Sequence, residues 1–156
     1  LLTLKTQKQG ESLTVMIEGQ ILENSELRAL LSPPLPKQMK LYCAKIQHMN
    51  SVGVKDWISV FGSLRRLGVK LEFHECPPGV VFNINLISNF VSREEVISLQ
   101  LPFSCPKCQL QYFPLLTVKT LLEQKLQLPT VKCTQCQSVC EFDDQFEEYL
   151  GFLVDP

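Results

Sequence analysis

Hydrophobic and polar positions alternate most clearly near the start of the chain. In "SLTVMIEG", Leu13, Val15 and Ile17 alternate with Thr14 and Glu18, the period of a strand with one buried face. "LTLKTQKQ" before it reads as a second strand, joined through a turn at Gly10 and Glu11. "NSELRALLS" then predicts a short helix, with Asn24 or Ser25 as N-cap and Leu27, Leu30 and Leu31 as its apolar face. Pro33, Pro34 and Pro36 stop it. "MKLYCAKI" is apolar on both faces and predicts a strand in the middle of a covered sheet.

The strongest helical pattern follows. Val54, Trp57, Ile58, Phe61 and Leu64 form one stripe, Lys55, Arg65 and Arg66 fall off it, and Gly68 is placed to end the helix. The stripe is read as core. "VKLEFHEC" predicts a further strand, Pro77 opens a helix through "GVVFNINLI", and "EVISLQLPF" predicts a final strand. The order is strand, strand, helix, strand, helix, strand, helix, strand. It calls for an α/β fold in which a mixed β-sheet carries helices on at least one face.

The character changes after Phe103. Residues 103–156 hold four lysines, no arginine and seven acidic residues, a net −3, against +2 for the remainder. A boundary near residue 102 therefore divides the chain into parts 1–102 and 103–156. Over the whole chain, 45 % hydrophobic and 20 % charged residues are ordinary for a globular protein. A net charge of −1 gives no pull toward nucleic acid or an anionic membrane surface. No apolar run approaches the ~20 residues needed to span a bilayer, so no membrane insertion is expected. The opening "LLTLKTQKQG" has no basic-then-apolar signal pattern.

The cysteines change the picture most. Cys43 and Cys76 stand alone, whereas Cys105, Cys108, Cys133, Cys136 and Cys140 crowd the last third. An odd count with two short-spaced pairs predicts a reducing, cytoplasmic setting and metal binding rather than a disulfide framework. "CPKC" and "CTQC", separated by 24 residues, each let a tight knuckle present two thiolates to one ion. Together they predict a zinc-ribbon-like module with one structural zinc per chain on Cys105, Cys108, Cys133 and Cys136. Soft thiolates suit zinc first and iron second. Four protein ligands leave no open position, and the module has no histidine, so a catalytic metal is not expected. Cys140 falls outside the knuckles and is read as a buried apolar cysteine or a spare thiol. "FDDQFEEYLGFL" predicts a closing helix that buries Phe146, Tyr149, Leu150 and Leu153, with Asp143 as its N-cap and Asp144 and Glu147 near its start.

The element order of residues 1–102 and the strand-to-helix junction "MNSVGV" resemble the STAS family, the anti-sigma factor antagonist domains of bacterial partner-switching systems, also found on anion transporters. That family carries an Asp-Ser-Ser-Gly-type motif at a helix start, and a switch kinase phosphorylates its second serine. Here Asn50 takes the Asp position, Ser51 the first serine, Val52 the second and Gly53 the glycine. Val52 has no hydroxyl, so the usual phosphoacceptor is missing. Ser51 is read as the N-cap of a helix opening at Gly53, Asn50 as closing the turn, and Val52 as packing where the helix meets the sheet. The composite of such a domain with paired knuckles is similar to bacterial proteins of that layout.

The resemblance implies a non-enzymatic protein–protein interaction module whose partner is a switch kinase or another signalling protein. His48, Asn50, Ser51, Lys55 and Asp56 form the expected partner face, with Lys55 and Asp56 exposed. A nucleic-acid-binding ribbon is the first alternative, and the acidic charge of residues 103–156 argues against it. A thiol-disulfide redox protein is the second. A catalytic C-x-x-C normally occurs once, at a helix start inside an α/β domain, whereas these occur as a couple outside it.

Overall fold

A computed structural model describes residues 1–23 and 25–154. Strands β1 (Leu2–Gln9) and β2 (Ser12–Ile21) form an antiparallel hairpin across a turn where Gly10 has a φ of 60°. A 3₁₀ helix at Glu26–Leu31 follows, then β3 (Gln38–Met49), α1 (Ser51–Arg66), β4 (Lys70–His74) and α2 (Pro78–Leu86). The sheet runs β1-β2-β3-β4, with β2, β3 and β4 mutually parallel. It is the mixed sheet that the alternating pattern predicts.

One face of this sheet carries the core. Val15 and Ile17 of β2, Met39, Leu41 and Cys43 of β3, and Leu71 and Phe73 of β4 are buried against Trp57, Val60, Phe61 and Leu64 of α1. Trp57 stacks on Phe90 at 4.9 Å and donates its indole N–H to the Phe90 carbonyl at 3.1 Å, so the large ring is buried without an unsatisfied donor. The helix stops as expected. Gly68 adopts a φ of 85° and its N–H caps the Arg65 carbonyl.

Two expectations about these elements need correction. β3 is covered on one side only: Gln38, Lys40, Tyr42 and Ala44 on its other face are half-buried. On that open face Tyr42 stacks on His74 at 4.7 Å. The short helix predicted after Ser25 forms, as a 3₁₀ helix. Ser25 makes no capping bond there and instead donates its hydroxyl to Asp56, while Asn24 lies outside the described residues.

The segment predicted as a final strand joins two parts of the molecule. It meets β4 and the residues just after it through isolated bridges, Phe73 with Val96 and Cys76 with Leu99. Its own strand, β5 (Ser98–Gln100), pairs antiparallel with β8 (Leu115–Thr117). The C-terminal part also contains a three-stranded sheet, β7-β6-β9, made by β6 (Phe103–Ser104), β7 (Gln111–Tyr112) and β9 (Glu141–Phe142), together with helix α3 (Val118–Glu123). Its buried Phe103, Leu121 and Cys140 continue the core that Leu99 and Leu101 share with the main sheet.

The closing helix is broken in two, α4 (Phe146–Tyr149) and α5 (Gly151–Val154). Asn85 of α2 bonds the backbone on both sides of the break. Its amide N–H group donates to the Tyr149 carbonyl at 2.9 Å, and its amide oxygen accepts from the Phe152 N–H at 2.9 Å. A continuous helix would need both backbone groups for its own ladder. Gly151 at the break adds a poor helix former. Asp143 is not the cap either. Its N–H bonds the Pro102 carbonyl, and Gln145 occupies the cap position without a side-chain bond. The predicted apolar face is nevertheless buried, through Tyr149, Leu150 and Leu153, with Phe146 half-buried.

Candidate metal centre

Two hairpin-like turns build the centre. The first knuckle links β6 to β7, and the second lies between Lys132 and Val139, which form an isolated antiparallel bridge. The two are wound alike. The Cys105 N–H bonds the Leu110 carbonyl and the Gln109 N–H returns to the Cys105 carbonyl. In the second, the Cys133 N–H bonds the Ser138 carbonyl and the Gln137 N–H returns to the Cys133 carbonyl. Both glutamines take left-handed conformations, with φ of 62° at Gln109 and 63° at Gln137. Each turn thereby folds its two sulfurs to the same side. "CPKCQ" and "CTQCQ" already carried this likeness in the sequence.

The sulfurs of Cys105, Cys108, Cys133 and Cys136 all lie within 4.8 Å of one another, and Cys105 and Cys136 approach to 3.5 Å. Four thiolates around a tetrahedral zinc, with bonds of ~2.3 Å, would stand about 3.8 Å apart. The cluster is therefore sized for one ion. Cys105 and Cys133 are buried, Cys108 is half-buried and Cys136 is exposed, so the centre sits at the rim of the core.

Groups around the sulfurs favour the thiolate form unequally. The Tyr112 hydroxyl lies 3.3 Å from the Cys133 sulfur, and with the backbone N–H groups of Cys136 and Gln135 it draws that thiol down to about 6. Ser138, through its hydroxyl and its N–H, lowers Cys136. Cys108 is pushed up to about 12, chiefly by its contact with the Cys136 sulfur. Thiolate repulsion of this kind is what a central cation relieves. Tyr112 and Ser138 are the residues that the cysteine spacing alone does not reveal. Cys140 is buried and its thiol is raised by desolvation, in keeping with the apolar role expected of it.

The residues named for the partner face meet where β3 runs into α1. His48 is exposed at the end of β3 and lines a depression of about 350 Å³ with Pro78 and Phe82 of α2. The cap assignment moves by one residue. Asn50, extended at φ −87° and ψ 178°, accepts the Gly53 N–H on its side-chain oxygen at 2.8 Å, and Ser51 is the first helical residue. Ser51 and Lys55 are exposed. Val52 is not packed against the sheet but 40 % exposed.

Asp56 departs further from expectation. Its side chain is only 14 % exposed and binds the Arg28 guanidinium at 3.0 Å and the Ser25 hydroxyl at 2.9 Å. It holds the 3₁₀ segment on α1 and is not available to a partner without disturbing that bond. Gly53 is buried because α1 begins against the end of β2, and any Cβ there would strike the Ile21 carbonyl oxygen.

No protein-family model matches the chain, and no curated protein matches it. Among the described residues, no helix is long and apolar enough to cross a membrane.

Proposed function

We propose that the chain is a non-enzymatic protein–protein interaction module of the STAS type, residues 1–102, braced by a zinc-ribbon-like part, residues 103–156. The observation that carries this reading is the closed set of four cysteine sulfurs on two matched knuckles, the single such group of metal ligands among the described residues. An ion held there has its coordination completed by the protein, so it supplies folding energy rather than a reactive position. Zinc is the metal that fits four soft thiolates and a structural role. The clustering of all four sulfurs also weighs against a redox couple, which needs two thiols free to pair and part.

The α1 start supports the interaction role. A long helix opens beside the end of a central parallel strand, with Ser51, Val52 and Lys55 exposed around its positive pole. The partner is a protein, a switch kinase or another signalling component, and the setting is a bacterial cytoplasm. Val52 removes the usual phosphoacceptor, so docking there relies on the surface itself.

A photo-crosslinking residue at Ser51, used in cells of the native host, tests this. We expect it to capture a protein, and Lys55→Glu to weaken binding of the purified partner at least about fivefold, the effect of losing an interface contact worth ~1 kcal/mol. Normal binding by Lys55→Glu, with binding lost on changing residues 103–154, would move the interface to the ribbon.

A further inference from the structure

α2 leaves a second surface without a partner. It buries Val80, Val81 and Ile84 in the core but turns Phe82 and Leu86, one helical turn apart, to the outside. Phe82 is 63 % exposed and Leu86 66 % exposed. Burying a phenylalanine ring is among the larger single apolar gains open to a chain, so two such positions on one stripe are a costly surface to leave in water. They line a groove of about 270 Å³ whose walls also include Pro78, Tyr149, Asp144 and Glu148.

The charge of the groove says what covers it. No lysine or arginine lines it. Glu147, beside Glu148 on the first turn of α4, is a third exposed carboxylate just outside the groove lining. None of the three pairs with a lysine or arginine in the ion pairs of the described residues. An anionic lipid surface would be repelled by this wall. A peptide with apolar side chains along one face and lysine or arginine along the next would fill the groove and pair the carboxylates together.

We propose that the α2–α4 groove docks a basic amphipathic segment of a partner protein. The groove contains none of His48, Asn50, Ser51 or Lys55. It shares Pro78 and Phe82 with the depression beside His48, whereas Leu86 and Glu148 belong to the groove alone, so the Glu148 and Leu86 substitutions separate it from the α1 face.

The test uses the zinc-loaded chain and a fluorescent helical peptide of leucine and lysine, about four turns long, read by anisotropy. We expect saturable binding that weakens as salt is raised, and no binding of the matching leucine–glutamate peptide. Phe82→Ser and Glu148→Lys should each weaken binding at least about tenfold, the change expected on losing a buried anchor or reversing a facing charge. Lys55→Glu should leave it unchanged. Unaltered zinc content and melting temperature certify the variants, and Leu86→Ser replaces Phe82→Ser if the latter does not fold. Absence of binding, or binding indifferent to these substitutions, overturns the proposal. So does concentration-dependent dimerisation abolished by Phe82→Ser, which would make the occupant a second copy of the chain.

Discussion

Asn50 and Ser51 stand one position apart and both are good capping residues, which is how the sequence comes to be read with Ser51 as the cap. Backbone geometry decides between them. Only Asn50 is extended with its side chain aimed at the Gly53 N–H, whereas Ser51 already has helical neighbours on its C-terminal side. Asn50→Ala should therefore cost about 1 kcal/mol, the usual worth of a cap. Ser51→Ala should stay within about 0.5 kcal/mol, as surface changes do. Urea denaturation of the two variants measures both, and equal losses would return the cap to Ser51. Val52 departs from its expected place because the helix start it occupies is open to solvent, and Asp56 because its side chain is taken up by Arg28 and Ser25, distant in sequence.

At the scale of elements, periodicity was readable wherever one face meets one core. The β2 alternation and the α1 stripe are decided by local sequence, and both form as expected. The closing helix shows where that reading stops. Its apolar spacing is helical and its apolar residues are buried, yet a single asparagine from α2 takes a carbonyl and an N–H that the helix needs. Nothing local to residues 143–154 announces this beyond Gly151. Asn85→Ala removes two hydrogen bonds between segments, each of net worth about 1 kcal/mol, and releases Phe152 to bond within its own helix. The stability lost should be about 1–2 kcal/mol, with faster amide exchange at Phe152 than in α1. Unchanged exchange and stability would assign the break to Gly151 alone.

Across the whole molecule, the metal centre and the main sheet are tied through residues 96–100, which bridge Phe73 of β4 and Cys76 just beyond it on one side and, through β5, pair with β8 on the other. The four ligands were legible because knuckle spacing is local; this splice was not, since β5 and β8 are separated by a whole knuckle and hairpin. It decides how far the effect of metal loss travels. Cys133→Ser leaves three sulfurs where four are needed, so the purified variant should retain less than one zinc per chain by elemental analysis. Amide protection should fall first across residues 103–142, then at β5 and along α4 and α5, where Tyr149 donates its hydroxyl to the Gln100 carbonyl. The hairpin β1–β2, strand β3 and helix α1 should keep their protection, because their core is filled by Val15, Ile17, Leu41, Trp57 and Phe61 without the ribbon. Acid should mimic the substitution. Bound ligands are thiolates, so protons compete with the ion and its affinity falls as pH is lowered. Cys108, at about 12 without the ion, must give up its proton on binding, whereas Cys133, at about 6, is already mostly ionised near neutrality. Zinc release followed with a chromogenic chelator should therefore increase as pH falls through the range below 7, with the exchange pattern of Cys133→Ser appearing alongside it. Full protection of residues 103–142 after complete zinc removal would mean that the apolar core alone holds the ribbon, and that the four sulfurs are not its structural staple.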